Sequence, residues 1–90
     1  MLFALMANDK PGALDTRKAT RDAHLAYVRE TGVVAQAGAL LDGDGEMCGS
    51  LLILDVADRA AADAWAADDP YAKAGLFSDV TIKPWNRVIG

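Results

Sequence analysis

The sequence predicts an α+β domain in which a four-stranded antiparallel sheet carries two helices on one face. Three observations lead there. Four apolar runs have the length and patterning of strands, two segments of helix formers lie between them, and the resulting order is β-α-β-β-α-β. A chain of 90 residues has room for one such unit, so residues 1–90 are expected to form a single domain.

The first run, Leu2 to Ala7, is apolar and stops at Asn8-Asp9. It reads as a buried strand, closed by the Lys10-Pro11-Gly12 turn. Asp15 or Thr16 is a candidate cap for a helix running to Thr31, and Gly32 is placed to end it. Along this helix Arg21, His24, Leu25 and Val28 fall on one stripe at spacings of three and four, with Tyr27 beside it, so His24 shares the face that must meet the sheet. A second strand is expected over Val33 to Leu41, a turn at Asp42-Gly43-Asp44-Gly45, and a third strand over Gly49 to Val56. Asp58 then caps an alanine-rich helix presenting Ala61, Ala62, Trp65 and Ala66 on one side. Asp68-Asp69-Pro70 breaks it, because proline disfavours helix in the residue before it. Tyr71 to Phe77 is expected as a short ordered loop or a turn of helix. The last strand is expected over Asp79 to Val88, with Val80 and Ile82 on one face and Thr81, Lys83 and Trp85 on the other. Pro84 suits the end or edge of its pairing. This arrangement is the split βαβ, ferredoxin-like fold.

Two helices cover one face of such a sheet and leave the other open. The second and third strands nevertheless put apolar residues on both faces, Leu51 to Leu54 above all. An exposed apolar sheet face is a partner surface. The expected partner is a second copy of the chain, in a homodimer formed through the open sheet face, or a higher oligomer built from it. A chain this short buries only about 60–65% of its surface by size scaling, so association is a natural source of stability.

Composition excludes several classes of function. Asp and Glu number 13 against 9 Lys and Arg, and the basic residues cluster no further than Arg17-Lys18 and Arg21. A duplex nucleic acid, bound by phosphate neutralisation, is not an expected partner. The single cysteine, Cys48, rules out a disulfide within the chain and reads as a half-buried small apolar residue. Paired Cys or His at metal-ligand spacing are absent, so no metal site is expected. The opening MLFALMA is too short to cross a membrane and lacks the layout of a signal peptide, which points to the cytoplasm and to no membrane partner.

Few residues can carry chemistry. His24 is the only histidine. A lone histidine is commonly a hydrogen-bonded helix residue, but this one sits where a bulky apolar side chain would ordinarily pack, and imidazole is suited to acid–base work near neutral pH. Asp68 and Asp69 stand at a helix C-terminus, where carboxylates oppose the helix dipole, which hints at another use. A carboxylate beside an imidazole would fix its tautomer. By residue type alone Asp42, Asp68 and Asp69 are all candidates. Ser50 opens the third strand and suits a substrate oxygen, although no Gly-x-Ser-x-Gly elbow surrounds it. Arg21 is placed to pair with a carboxylate or to bind an anion.

Taken together, several pieces resemble the YciI-like family: the opening strand with Asn8-Asp9-Lys10, Arg21-x-x-His24-Leu25, Ala37-Gly38, Gly49-Ser50, Asp69-Pro70-Tyr71, Ala74-Gly75-Leu76-Phe77 and Val80-x-Ile82-x-Pro84-Trp85. The resemblance spans nearly the whole chain. It implies a dimeric α+β barrel and an active site centred on a histidine and an aspartate, carried over here to His24 and Asp69, with Ser50 and Tyr71 as neighbours. Ala39 stands where the family often has proline after the Ala-Gly pair, which implies a different pocket rim.

The leading expectation for function is a cofactor-independent enzyme that moves protons on a small cyclic or aromatic-derived molecule, as an isomerase, lyase or hydrolase. His24 would be the acid–base group, oriented by Asp69, with Ser50, Tyr71 and Arg21 binding the substrate. The alternative is a dimeric module that binds a small ligand without turning it over.

Overall fold

Strand alternation decides what lies under the helices. In the computed structural model, which describes residues 1–90, the first strand is β1 (Leu2–Asp9). Its Phe3, Leu5 and Ala7 are almost fully buried, while Met6 between them is 43% exposed. The remaining elements are α1 (Leu14–Thr31), β2 (Val34–Leu41), β3 (Met47–Asp55), α2 (Arg59–Asp68), the single-turn α3 (Pro70–Lys73) and β4 (Phe77–Pro84). The strands form one antiparallel sheet in the order β2-β3-β1-β4. This is the ferredoxin-like βαββαβ topology expected from the sequence.

Register builds the core. Phe3 pairs with Leu54, Leu5 with Leu52 on one side and Ile82 on the other, and Ala7 with Ser50. The inward members of these pairs, with Ala62 and Trp65 of α2, form one buried apolar cluster. Tyr27 donates from its hydroxyl to the Trp65 carbonyl at 2.7 Å, and the Trp65 indole N–H donates to Thr31 Oγ1 at 2.9 Å. These bonds lock α1 to α2 and leave no buried polar atom of that contact unpaired. Burial, aided by the charges of Asp68 and Asp69, pushes the Tyr27 phenol up to about 12.

The structure corrects several boundaries. Neither Asp15 nor Thr16 caps α1: the helix starts two to three residues earlier, at Leu14, with Ala13 at the N-cap position and no side-chain cap. The Lys10-Pro11-Gly12 turn sets this start, since Ala13 N–H bonds the Lys10 carbonyl and delivers the chain directly into the helix. Asp15 lies inside the first turn, where its charge complements the dipole. Gly32 ends the helix as expected, at φ 65°, with its N–H on the Val28 carbonyl. Such a positive φ is strained for any residue with a Cβ. β1 extends to Asp9 and β4 begins at Phe77 because these two pair across a bulge at Asn8/Asp9. β3 begins at Met47, which pairs with Leu41 across the 42–46 turn. β4 ends at Pro84 rather than Val88. Proline has no N–H to continue the ladder, and after it only Trp85 N–H reaches β1, at the Leu2 carbonyl. Asp58 caps α2 through Ala61 N–H, as expected.

The other face of the sheet carries Ala4, Met6, Gly38, Leu51 and Ile53, which the register brings side by side. The long helices α1 and α2 lie on the opposite face, and Leu51 and Met6 are exposed. No helix is long and apolar enough to cross a membrane.

Candidate active site

The inward stripe of α1 does not end at Arg21. Arg17 lies on it too, seven residues before His24, and both are buried, at 3% and 6% exposure. The side chains of α1 thus bring a guanidinium and an imidazole down onto the sheet at the end where β1 and β3 carry Asp9 and Ser50.

His24 meets Asp69. The imidazole Nδ1 lies 2.7 Å from Asp69 Oδ1, and both side chains are almost completely buried. The same Oδ1 accepts the backbone N–H of Tyr71 at 3.0 Å. Asp69 closes α2, but it also caps α3. The carboxylate that opposes one helix dipole therefore stands at the favourable end of the next. Asp42 and Asp68, the other carboxylates open from the sequence, are elsewhere. Asp42 organises the exposed 42–46 turn by accepting the N–H groups of Asp44 and Glu46, and Asp68 is exposed, 4.0 Å from Lys73.

Tyr71 covers the imidazole. Its ring stacks on His24 with centroids 4.0 Å apart and planes 16° from parallel. The Arg17 guanidinium also lies over the Tyr71 ring, with its Cζ 4.8 Å from the centroid. Burial raises the Tyr71 phenol. Arg17 and Arg21 pull it down and Asp69 adds to the rise, with a net upward shift. Tyr71 is therefore a neutral phenol at physiological pH.

Neither Arg17 nor Asp9 is among the site residues expected from the sequence. Arg17 Nε donates to Asp9 Oδ2 at 2.7 Å and its terminal Nη2 to Asp9 Oδ1 at 2.9 Å. This bidentate, buried pair has the geometry that repays desolvation best. The same nitrogen also donates to Ser50 Oγ at 2.8 Å. Burial opposes the charge on Arg17, but the hydrogen bond and charge of Asp9 outweigh it, and the net shift is upward. Two signals for this pair were present: Arg17 continues the helical stripe, and Asp9 shares the odd parity of Phe3, Leu5 and Ala7.

A cavity of about 200 Å³ opens among these groups. Arg17, Arg21, His24 and Leu25 of α1, Ser50 and Leu52 of β3, and Tyr71 line it, and the β2 segment Ala37-Gly38-Ala39 with Met47 forms its outer wall. All five residues named from the sequence are thus accounted for: His24, Ser50, Tyr71 and Arg21 line the cavity, and Asp69 stands behind His24. Arg21 is exposed at the mouth. Ser50 is set by its neighbour, because Gly49 lies so close to the Ala7 carbonyl oxygen that a Cβ there would collide with it.

Chemically, when the His24 ring is neutral and Asp69 accepts its Nδ1 proton, Nε2 is the lone-pair nitrogen. Nε2 has no protein partner, and every fully buried side-chain polar atom has one, so Nε2 is accessible. The arrangement can accept a proton from a bound molecule and hold the resulting imidazolium against Asp69.

The β-α-β-β-α-β topology defines the ferredoxin-like class of α+β domain found in dimeric α+β barrels. A structure of a 5-chloro-2-hydroxyhydroquinone dehydrochlorinase from Burkholderia phenoliruptrix, solved with 2,5-dihydroxybenzoquinone, superimposes with a TM-score of 0.89 at 32% identity, over 96% of this chain and 94% of that one. An antibiotic biosynthesis monooxygenase shares the fold at a TM-score of 0.61 and 19% identity, over 99% of this chain and all of that one. The model of the YCII-related domain matches residues 1–86, and the chain belongs to that family. It is 34% identical to the protein YciI of Escherichia coli and 32% identical to an uncharacterised protein of Haemophilus influenzae, in each case over 98% of this chain and 99% of the relative.

Proposed function

We propose that the chain is a homodimeric, cofactor-independent enzyme in which His24, oriented by Asp69, transfers protons on a small cyclic substrate. The observation that carries this reading is the 2.7 Å contact of His24 Nδ1 with a buried Asp69, made beside a cavity that His24 lines. Burying a carboxylate and an imidazole is costly unless they are paired, and a purely structural histidine has no need of a cavity.

The cavity's size and its apolar walls at Leu25, Leu52 and Met47 suit a single ring. The ligand of the dehydrochlorinase relative is such a ring. His24 Nε2 would take a proton from a substrate hydroxyl or an acidified C–H. In an elimination the substrate reacts as the ring tautomer whose halogen-bearing carbon also carries hydrogen: the O–H pair becomes a C=O bond, a ring double bond shifts and the carbon–halogen pair leaves with the halide; in an isomerisation the proton returns to a second atom. Tyr71 and Ser50 would hold the substrate's polar groups, with Arg21 at the mouth.

The test is turnover of halogenated hydroxyhydroquinones, followed by halide release and by quinone absorbance. Wild type is expected to turn over at least one of them. Loss of a positioned acid–base group costs about 10²–10⁴-fold, so His24→Ala is expected to fall by that factor in kcat. Full activity in His24→Ala would end the catalytic reading. Saturable binding without turnover across the panel would favour the ligand-binding module instead.

A further inference from the structure

The Ser50 hydroxyl has one fixed bond. Arg17 Nη2 donates to its oxygen, and a guanidinium can only donate. Ser50 Oγ is therefore an acceptor in that bond, and its own proton is free for another partner. No protein group takes that proton: Arg17 is the one side chain bonded to Ser50, which is 3% exposed and lines the cavity. Arg17 itself cannot turn away, because Asp9 grips it through two nitrogens. The Asp9–Arg17 pair thus makes Ser50 a donor directed at the cavity.

Charge points the same way. The chain carries a net charge of −4, yet two arginines line this one cavity. Arg17 is neutralised by Asp9 and a protonated His24 would be neutralised by Asp69, whereas Arg21 makes no ion pair. Its charge is left over at the mouth.

Resting on the acid–base reading above, we infer that the cavity is an oxyanion site: the Ser50 hydroxyl, committed as a donor by Arg17, and the unpaired Arg21 guanidinium receive a phenolate or enolate oxygen of a monocyclic ligand. The proton leaves the ligand hydroxyl for His24 Nε2. The O–H electron pair stays on the oxygen, and the imidazolium formed stays beside Asp69, so one positive and one negative charge appear and each meets an opposite charge already in place. Arg17 is a positioning residue here; it acts through Ser50. Ligands without an ionisable hydroxyl, such as benzene derivatives bearing only alkyl groups, lack the oxygen this site is built for.

The experiment uses 4-nitrophenol, whose anion absorbs in the visible. Its affinity for the full-length protein is measured across the pH range over which the free phenol ionises. Wild type is expected to bind the phenolate at least about tenfold tighter than the phenol, the worth of one hydrogen bond to a charged group. Ser50→Ala and Arg21→Gln are each expected to erase most of that preference, and Arg17→Lys, which cannot hold both Asp9 and Ser50, to reduce it. Arg21 is exposed, so Arg21→Gln retains the fold and keeps the test valid if Ser50→Ala does not. Equal affinity for phenol and phenolate in wild type, absence of binding, or an unchanged preference in Arg21→Gln and Ser50→Ala would overturn the inference. If that occurs while His24→Ala still abolishes halide release, the acid–base reading survives and only the oxyanion site falls.

Discussion

At the scale of single residues, the site is a set of groups whose hydrogen-bonding directions are fixed by their partners. Asp69 accepts from both His24 Nδ1 and Tyr71 N–H, so it sets the tautomer of one and the position of the other. Asp69→Asn can donate to Nδ1 and reverse the tautomer. It is expected to lower turnover by about 10²-fold or more, with His24 still buried, a result checked by kcat alongside a thermal melt. Tyr27 offers a second prediction. Its phenol titrates near 12 in the folded chain against an ordinary value near 10. The folded state therefore holds this proton more tightly than the unfolded state. The stability it contributes is complete below pH 10 and is lost as pH rises toward 12. Ultraviolet titration is expected to show Tyr27 ionising together with alkaline unfolding, and Tyr27→Phe is expected to flatten the fall in stability over that range.

Among the elements, β3 does most to position the site, and Gly49 shows how. β1 and β3 approach so closely at this point that only glycine fits against the Ala7 carbonyl, and that approach sets Ser50 opposite Ala7 and beneath Arg17. Gly49→Ala is expected to lower stability by about 1–3 kcal/mol, the usual range for overpacking, and to weaken ligand binding through Ser50. Calorimetry and 4-nitrophenol binding would read the two effects together. Much of this level was legible beforehand. The lengths of the apolar runs marked the strands, the three-four spacing in α1 marked the inward face of His24, and Gly32 itself marked the helix stop. What local pattern could not give was pairing at long range. The ends of β1 and β4 depend on Asp9 meeting Phe77 across a bulge. The start of α1 depends on the turn that feeds it rather than on a capping side chain. Arg17 drew no site expectation because only the folded chain brings Asp9, eight positions away, against it. For His24 the residues alone left three aspartates open; the family resemblance pointed to Asp69, and the fold brings that one into contact.

For the molecule as a whole, the uncovered sheet face is the feature that demands a partner. Met6 and Leu51 face outward from the middle of the sheet, flanked by Ala4 and Ile53, and apolar side chains in such a patch gain about 25 cal/mol for each Å² they bury. A second copy packing sheet to sheet would cover it. Light scattering is expected to give a dimer for wild type, and Leu51→Asp, which places a charge in the centre of that face, is expected to shift it to monomer with the fold intact by circular dichroism. A monomeric wild type would remove the homodimer from the account.

The central claim is that Asp69 holds His24 with Nε2 as a free base facing the ligand. Nitrogen-15 NMR of the one histidine tests this most directly, with 2,5-dihydroxybenzoquinone as the probe. The account predicts a neutral imidazole protonated at Nδ1, a lone-pair Nε2 whose resonance moves when the quinone binds, and loss of that tautomer preference in Asp69→Asn. An imidazole protonated at Nε2, or an Nε2 resonance that ignores the bound quinone, would contradict it.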